Sequence, residues 1–429
     1  VKVALVLLYR YPGKYAFNVL AGSLENHERS ELLSLQLAAN REELLAKTIA
    51  CVDAGYRTAV AFSFYSPGFP EAATDLAWLK EQLGPRRVLT LAGGVHATAE
   101  PLETLQAGFD LIALGEGERT LNEIVRRLGA DESLDQIPGT ARLENGALRS
   151  FGKGEGVLLD DYPPFSVAHE LFGAIEITRG CVYACRFCQT PFLNKARFRH
   201  RSVDNVARWA SALRASGRRD LRFISPTSLS YGAPDESVNL DAVEALLARS
   251  IEAMKPDGRV FFGSFPSEVR PEHVSTEALA VIKRYAANDN LVIGGQSGSE
   301  RILEQSHRGH DVEAIERSVR ISIECGFVPN VDFILGLPGE EPSDVEATLD
   351  LMEKLAAMGA KVHGHTFMPL PGTPFRRAPP GQVPEAAKLR LERLASQGRL
   401  YGQWKKQVEI ARDIALRRDA RAISSERKS

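Results

Sequence analysis

The sequence predicts an α/β chain made of two successive parallel-sheet parts followed by a helical extension. Three observations carry that prediction. Short apolar runs alternate with stretches of helical period along most of the 429 residues. The runs are apolar at consecutive rather than alternate positions, as in strands covered on both faces. A Pro-rich break near residue 160 divides the alternation into two series, and the length suits two or three domains.

The first series occupies residues 1–150. Residues 1–8, "TAVAFSFY" (58–65), "RVLTLAGG" (87–94) and "DLIALGEGE" (110–118) read as strands. "REELLAKTIACVDAGY" (41–56) and "PEAATDLAWLKEQLG" (70–84) read as helices, and "YRYPGKYAF" as the loop after the first strand. Ligands on such sheets bind at the carboxyl ends of the strands. The loops "AGGVHAT" and "LGEGERT" are therefore expected at a ligand site, where Gly93, Gly94, Gly115 and Gly117 permit close backbone approach. Pro163 and Pro164 in "DDYPPFS" cannot continue a helix or a central strand, so a linker is expected over 151–170.

The second series, 171–375, has strands at "AIEITRG" (174–180), "DLRFISP" (220–226), "RVFFGSF" (259–265), "NLVIGGQSG" (290–298), "VPNVDFILGLPGE" (328–340) and "KVHGHTFMPLPGTP" (361–374). Six βα units predict a barrel or partial barrel whose working face is its strand C-termini. From about 384 the pattern becomes one charged helical stretch. Residues 376–429 hold fourteen Lys or Arg against six Asp or Glu, a net charge of 14 − 6 = +8. This reads as a solvated helix face, with a docking surface for an acidic partner or RNA as the alternative.

Composition narrows the class. Hydrophobic residues are 44% and charged residues 25%, as in a soluble globular protein. A net charge of −2 gives no overall footprint for nucleic acid, so a nucleic-acid partner is not expected. No apolar run reaches the roughly 20 residues of a membrane span. The opening "VKVALVLLYRYPGK" lacks a basic n-region and reads as a strand, not a signal peptide. Five cysteines do not suggest a disulfide framework, and a cytoplasmic location is expected.

Three of those five, Cys181, Cys185 and Cys188, fall within "TRGCVYACRFCQTP". The spacing Cys-x3-Cys-x2-Cys admits three readings. The positions i, i+4 and i+7 could be a core stripe of one helix, but Gly180, Pro191 and Arg186 make the stretch loop-like. A structural zinc needs four ligands, with His200 as the fourth. An iron–sulfur cluster on three thiolates would leave one iron open, where a closed electron-transfer cluster takes four. Cys51 and Cys325 read as buried and inert.

The triplet, with Phe187 as the aromatic before the last cysteine, resembles the radical S-adenosylmethionine (SAM) signature. The resemblance extends over most of 1–375. "GGVHATAEP", "LGEGERTLNEIV", "DDYPPF", "GGQSGSERIL", "DFILGLPGE" and "PLPGTP" are similar to the cobalamin-binding class of that superfamily. It implies an N-terminal Rossmann-like (flavodoxin-like) cobalamin domain, a partial (β/α)6 TIM barrel and the helical extension. It also implies a 4Fe–4S cluster on Cys181, Cys185 and Cys188, SAM chelated to the open iron, and cobalamin, with methyl transfer to an unactivated centre. The substrate would be a small molecule or a peptide, and the electron donor a flavodoxin or ferredoxin.

The remaining site residues follow from the same resemblance. Phe187 would lie against adenine or pack in the core. Gln296 and Ser297, where relatives often have Glu in place of Gln296, are SAM candidates. Arg308 would pair with the SAM carboxylate or stand exposed on a helix. Gly336 would let backbone approach adenine or simply make a tight turn. On the cobalamin side, Ser63, Tyr65 and Ser66 would face the corrin, and Glu116 and Glu118 would accept from its amides or cap the next helix. The cobalt-ligating Asp-x-His-x-x-Gly string of cobalamin mutases is absent from 1–150. His96 is expected to hydrogen-bond rather than ligate cobalt. Tyr231 and Met368 are candidates to line the substrate site.

Overall fold

Six consecutive buried residues, Val3–Leu8, form β1, an interior strand of the first sheet. Ala4, Val6 and Leu8 join one apolar layer and Val3, Leu5 and Leu7 the other, so successive side chains feed two cores. This is a computed structural model, and it describes residues 1–25, 32–194 and 196–426. Two units emerge, 1–173 and 174–429.

In the first unit β1 pairs in parallel with β2 (Leu33–Ala38) and β3 (Arg57–Ser63). β4 (Leu89–Gly93) and β5 (Leu111–Ala113) continue the parallel sheet. The order is β2-β1-β3-β4-β5, extended by an antiparallel hairpin of β6 (Thr140–Glu144) and β7 (Ala147–Ser150). Helices α1 (Lys14–Glu25), α2 (Arg41–Asp53), α3 (Phe69–Leu83), α4 (Val95–Ala99), α5 (Pro101–Gln106) and α6 (Glu118–Ala130) supply the crossovers. Phe17 of α1 and Leu121 and Ile124 of α6 cover one face, Leu44 of α2 and Leu76 of α3 the other. The flavodoxin-like order puts a switch point between β1 and β3.

The stretch 151–170 is not a free linker. Val157, Leu159 and Phe165 are buried, and the Ala168 amide donates to Glu25 Oε1 at 2.9 Å, tying the segment to α1. The unit boundary falls after Gly173.

The second unit opens with β8 (Ile175–Glu176), β9 (Thr178–Arg179), α7 (Thr190–Leu193) and β10 (Arg199–His200), the last pairing antiparallel with β9. There follow α8 (Val203–Ala215), β11 (Asp220–Ile224), α9 (Leu240–Ala253), β12 (Arg259–Phe261), α10 (Thr276–Tyr285) and β13 (Asn290–Gln296). Then come α11 (Glu300–Gln305), α12 (Val312–Glu324), β14 (Val328–Leu335), α13 (Pro342–Met358) and β15 (Lys361–Thr366). β8, β11 and β12 pair in parallel, as do β13, β14 and β15. Parallel bridges Ser225–Ser267 and Val269–Ile293 join the two groups, giving the expected six-strand series.

The C-terminal stretch departs from its reading as one charged helix. It is α14 (Glu385–Ser396), β16 (Leu400–Tyr401) and α15 (Trp404–Glu426), and β16 adds a seventh parallel strand beside β15. Leu391, Leu394, Trp404, Ala411 and Ile414 are buried, so both helices pack by one face. Arg390 pairs with Glu346, Asp350 and Glu353 of α13, tying α14 to the preceding helix. Residues 427–429 lie outside the described residues.

Candidate functional site

The cysteine loop leaves the first barrel strand and is held by bonds from several elements. The Arg186 amide donates to Ser306 O at 3.1 Å, and its guanidinium reaches Gln305 O at 3.3 Å at the end of α11. The Phe375 amide donates to Arg186 O at 3.3 Å. Tyr183 Oη meets Glu236 O and His273 Nε2, each at 3.0 Å, and the Arg270 guanidinium stacks 3.5 Å above the Tyr183 ring. Arg270 in turn pairs with Glu272, which also faces His310 at 3.3 Å. Nothing in the spacing of the sequence pointed to this Tyr183–Arg270–Glu272–His310 network.

Cys185 is 5% exposed, and Cys181 and Cys188 are partly exposed. Burial pushes the Cys181 thiol up to about 12 and raises that of Cys188. Thiols so placed ionise on binding metal. The single-ion readings fail on geometry. The three sulfurs do not stand among groups whose ligand atoms lie within 4.8 Å of one another, as one zinc would need. His200 is no fourth ligand: Nδ1 meets Thr178 Oγ1 at 3.0 Å and Nε2 meets Ala233 O at 2.7 Å.

Arg308 is buried, not an exposed helix arginine. It donates to Cys185 Sγ at 3.3 Å and to Gly294 O at 2.6 Å. Glu268 lies beside it, and burial holds that carboxyl up to about 7 although Arg308 opposes the shift. Gln296 ends β13 at a register shift in the pairing with β14, with φ +79°, and its amide lies near Arg308. Gln296, Arg308, Glu268 and Cys185 thus gather at one place. Glu268 was missed by sequence reasoning.

Three further residues expected near SAM have these surroundings. Ser297 is fully buried, and its hydroxyl serves Thr348 Oγ1 at 3.2 Å and the Ser299 amide at 3.2 Å, so it anchors α13. Phe187 packs with Ile302, Leu337, Phe367 and Phe375, the core alternative. Gly336 has φ +73°, and a Cβ there would strike Gln382 N at 2.5 Å, so the chain's own backbone already requires glycine at this turn. Tyr231 likewise is buried with its hydroxyl on Arg201 O at 2.6 Å and lines no open site.

At the switch-point end of the first unit, the loop after β1 rests against β3, since a Cβ on Gly13 would meet Ser63 O at 2.6 Å. Tyr11 on that loop is 62% exposed and Tyr65 beyond β3 is 46% exposed. Tyr65 keeps its expected place at a strand end, and Tyr11 is an addition. Gly93 closes β4, and Gly94 follows at φ +94° against Ser63 and Phe64. His96 and Ser66 turn inward instead. His96 is 1% exposed, stacks on Phe69 at 4.4 Å, bonds Ser66 Oγ through Nδ1 at 3.1 Å and faces Glu103 through Nε2 at 3.3 Å. Nδ1 is thus hydrogen-bonded, while Nε2 has only the Glu103 carboxylate nearby and makes no hydrogen bond. Glu116 accepts from the Val157 amide at 3.0 Å, Gly115 and Gly117 pack against Lys153 and Leu20, and Glu118 is buried in the first turn of α6. The "GEGE" loop is therefore covered by the chain's own residues.

Residues 175–352 match the Radical SAM superfamily. Among curated proteins, the tRNA-2-methylthio-N(6)-dimethylallyladenosine synthase of Magnetococcus marinus is 33% identical over 234 residues, 53% of this chain and 51% of that protein. The threonylcarbamoyladenosine tRNA methylthiotransferase MtaB of Thermotoga maritima is 29% identical over 258 residues, 59% of this chain and 54% of its own. The chain thus spans about half the length of these relatives. Among solved structures, the radical SAM methyltransferase TsrM of Kitasatospora setae with cobalamin and a [4Fe–4S] cluster bound aligns with TM-score 0.67 at 17% identity, covering 88% of this chain and 77% of that one. The cobalamin-dependent radical SAM enzyme OxsB with aqua-cobalamin bound aligns at 0.63 and 16%, covering 95% and 56%. The three-cysteine loop at the first strand of a parallel barrel series falls within the span, residues 175–352, that is similar to the Radical SAM superfamily.

Proposed function

We propose that the chain is a cobalamin-dependent radical SAM methyltransferase acting on an unactivated centre of a small molecule or peptide. The observation that carries the reading is the pairing, in one chain, of a doubly wound 2-1-3-4-5 unit with a three-cysteine barrel. The same pairing of folds supports it in the two cobalamin enzymes above. When bound, the cluster, SAM and cobalamin supply reductive cleavage to a 5′-deoxyadenosyl radical and a transferable methyl group. The chain's residues hold and shield these groups. Cys181, Cys185 and Cys188 would ligate the cluster, and Arg308 would hold positive charge against the Cys185 sulfur. Gln296 and Glu268 would be polar groups available to SAM, with Glu268 supplying the carboxylate that Gln296 lacks. Tyr11 and Tyr65 offer exposed rings where a corrin would lie. With His96 buried beside Ser66 and Glu103, cobalt would take no ligand from it.

The curated relatives favour a second reading, methylthiolation of tRNA. One experiment separates the two. Anaerobic protein with reconstituted cluster is given SAM carrying a deuterated methyl group, with and without cobalamin. Cobalamin-dependent label in a small-molecule or peptide product supports methyl transfer. Label in a tRNA thioether, formed without cobalamin, would sink it. Formation of 5′-deoxyadenosine with no label transferred would point instead to cyclisation, ring contraction or epimerisation.

A further inference from the structure

We propose that Asp332, His363 and His365 bind one divalent transition-metal ion, at a site separate from the three cysteines and independent of the cobalamin reading. Among the described residues they are the one group of three whose ligand atoms all lie within 4.8 Å of one another. The fold sets them side by side. Asp332 of β14 is in register with His363 of β15, and His365 follows two positions on, on the same face. His363 Nδ1 lies 2.9 Å from Asp332 Oδ1 and 3.2 Å from His365 Nε2. The Tyr401 ring of β16 stacks on His363 at 4.4 Å and 8°, fixing its plane.

The protons of this group cannot be assigned consistently. The Thr366 amide donates to Gln407 Oε1 at 2.8 Å, so Gln407 presents its NH2 to His365 Nδ1 at 3.2 Å. His365 Nδ1 is then the lone-pair nitrogen, and Nε2 carries the proton, aimed at His363 Nδ1. Asp332 needs that same Nδ1 to donate. One imidazole nitrogen cannot accept from one neighbour while donating to the other. A cation removes the conflict, because the Asp332 oxygen and the His363 lone pair then converge on it. His365 joins once its proton moves to Nδ1 and the Gln407 oxygen turns from the Thr366 N–H to receive it, as outer partners of metal-bound imidazoles do, at the cost of the Thr366 bond.

Two imidazoles and one carboxylate suit Zn²⁺, Fe²⁺, Co²⁺ or Mn²⁺ rather than Ca²⁺ or Mg²⁺, and three protein ligands leave positions open. Asn330, on the same face of β14, and Tyr401 line a cavity of about 430 Å³, large enough to bring water or a small oxygen- or nitrogen-bearing ligand close by.

The test uses the full chain, prepared anaerobically with its cluster, and the Cys181, Cys185 and Cys188 triple Ala variant. Mn²⁺ is titrated while the paramagnetic resonance signal of free Mn²⁺ is followed, and Zn²⁺ is then added. One saturable Mn²⁺ site per chain, displaced by Zn²⁺ and present in both proteins, is expected. The His363→Ala, His365→Ala double variant should weaken it at least about 100-fold while keeping its iron. Gln407→Glu offers one oxygen to Thr366 N–H and another to His365 Nδ1–H, and should tighten binding about tenfold. No saturable site in the wild type, a site lost in the cysteine variant, or unchanged affinity in the double variant would overturn the proposal. Should the double variant fail to fold, unchanged affinity in Gln407→Glu overturns it.

Discussion

Arg308 donates to a cysteine sulfur and a strand carbonyl at once, and its charge is sealed from solvent. Adding an electron to a cluster on Cys185 adds negative charge beside that guanidinium, so Arg308 favours the reduced state. Arg308→Gln should lower the reduction potential, read by potentiometric titration of the reduced-cluster resonance. A potential unchanged or raised would show the arginine to be merely structural. The lost charge-assisted bonds should also cost about 1.5–3 kcal/mol of stability. The cysteines themselves make the firmest expectation. Changing Cys181, Cys185 and Cys188 together to Ala should remove about four irons per chain, while Cys51→Ala and Cys325→Ala should remove none; iron analysis after anaerobic preparation decides it. At this scale the triplet was legible because its spacing is local. Ser297, Ser66 and His96 were not, because nothing in the sequence says whether a polar side chain at a strand end turns to a ligand or back into the protein. Glu268 and Asp332 were missed because only the closing of the sheet brings them beside Arg308 and His363.

Among the elements, the strands with unbroken apolar runs were legible, since burial on both faces writes itself into consecutive residues. β2 escaped because it is an edge strand whose Ser34 and Gln36 alternate with leucines and stay partly exposed. β16 escaped because two residues between charged helices carry no period at all. Yet that short strand and α15 behind it are structural. Trp404 is 4% exposed beside β15, and its carbonyl accepts from Thr366 Oγ1 at 2.8 Å. Trp404→Ala should therefore cost about 3–5 kcal/mol, measured as a fall in the unfolding midpoint. The turn after β14 makes a pH-dependent contribution. Glu340 accepts from the Gly336 amide at 2.7 Å, and burial lifts its carboxyl to about 7. The folded state then holds this proton more tightly than the unfolded chain. Stability falls as pH rises from the ordinary carboxyl range to about 7, and is flat above it. Glu340→Gln should flatten that slope between pH 5 and 8, and thermal unfolding across the range should show it.

On the scale of the whole molecule, two units that each bury their own apolar residues imply that damage to one need not erase the other. His96→Ala, which leaves Ser66 and Glu103 facing a hole beside Phe69, should lower the unfolding midpoint of the first unit. Iron should remain at about four per chain, and loss of iron in that variant would contradict the separation. No described helix is long and apolar enough to cross a membrane. The end of β13 bears on the molecule as a whole in a different way. Gln296 holds φ +79°, where a β-substituted residue loses of order 1 kcal/mol against glycine. A variant library screened only for heat resistance would therefore enrich Gln296→Gly, and the winners would lack the amide beside Arg308. If Gln296 serves SAM as proposed, selection for endurance and selection for turnover pull this one position in opposite directions, and a stabilised version of the chain has to be chosen under both at once.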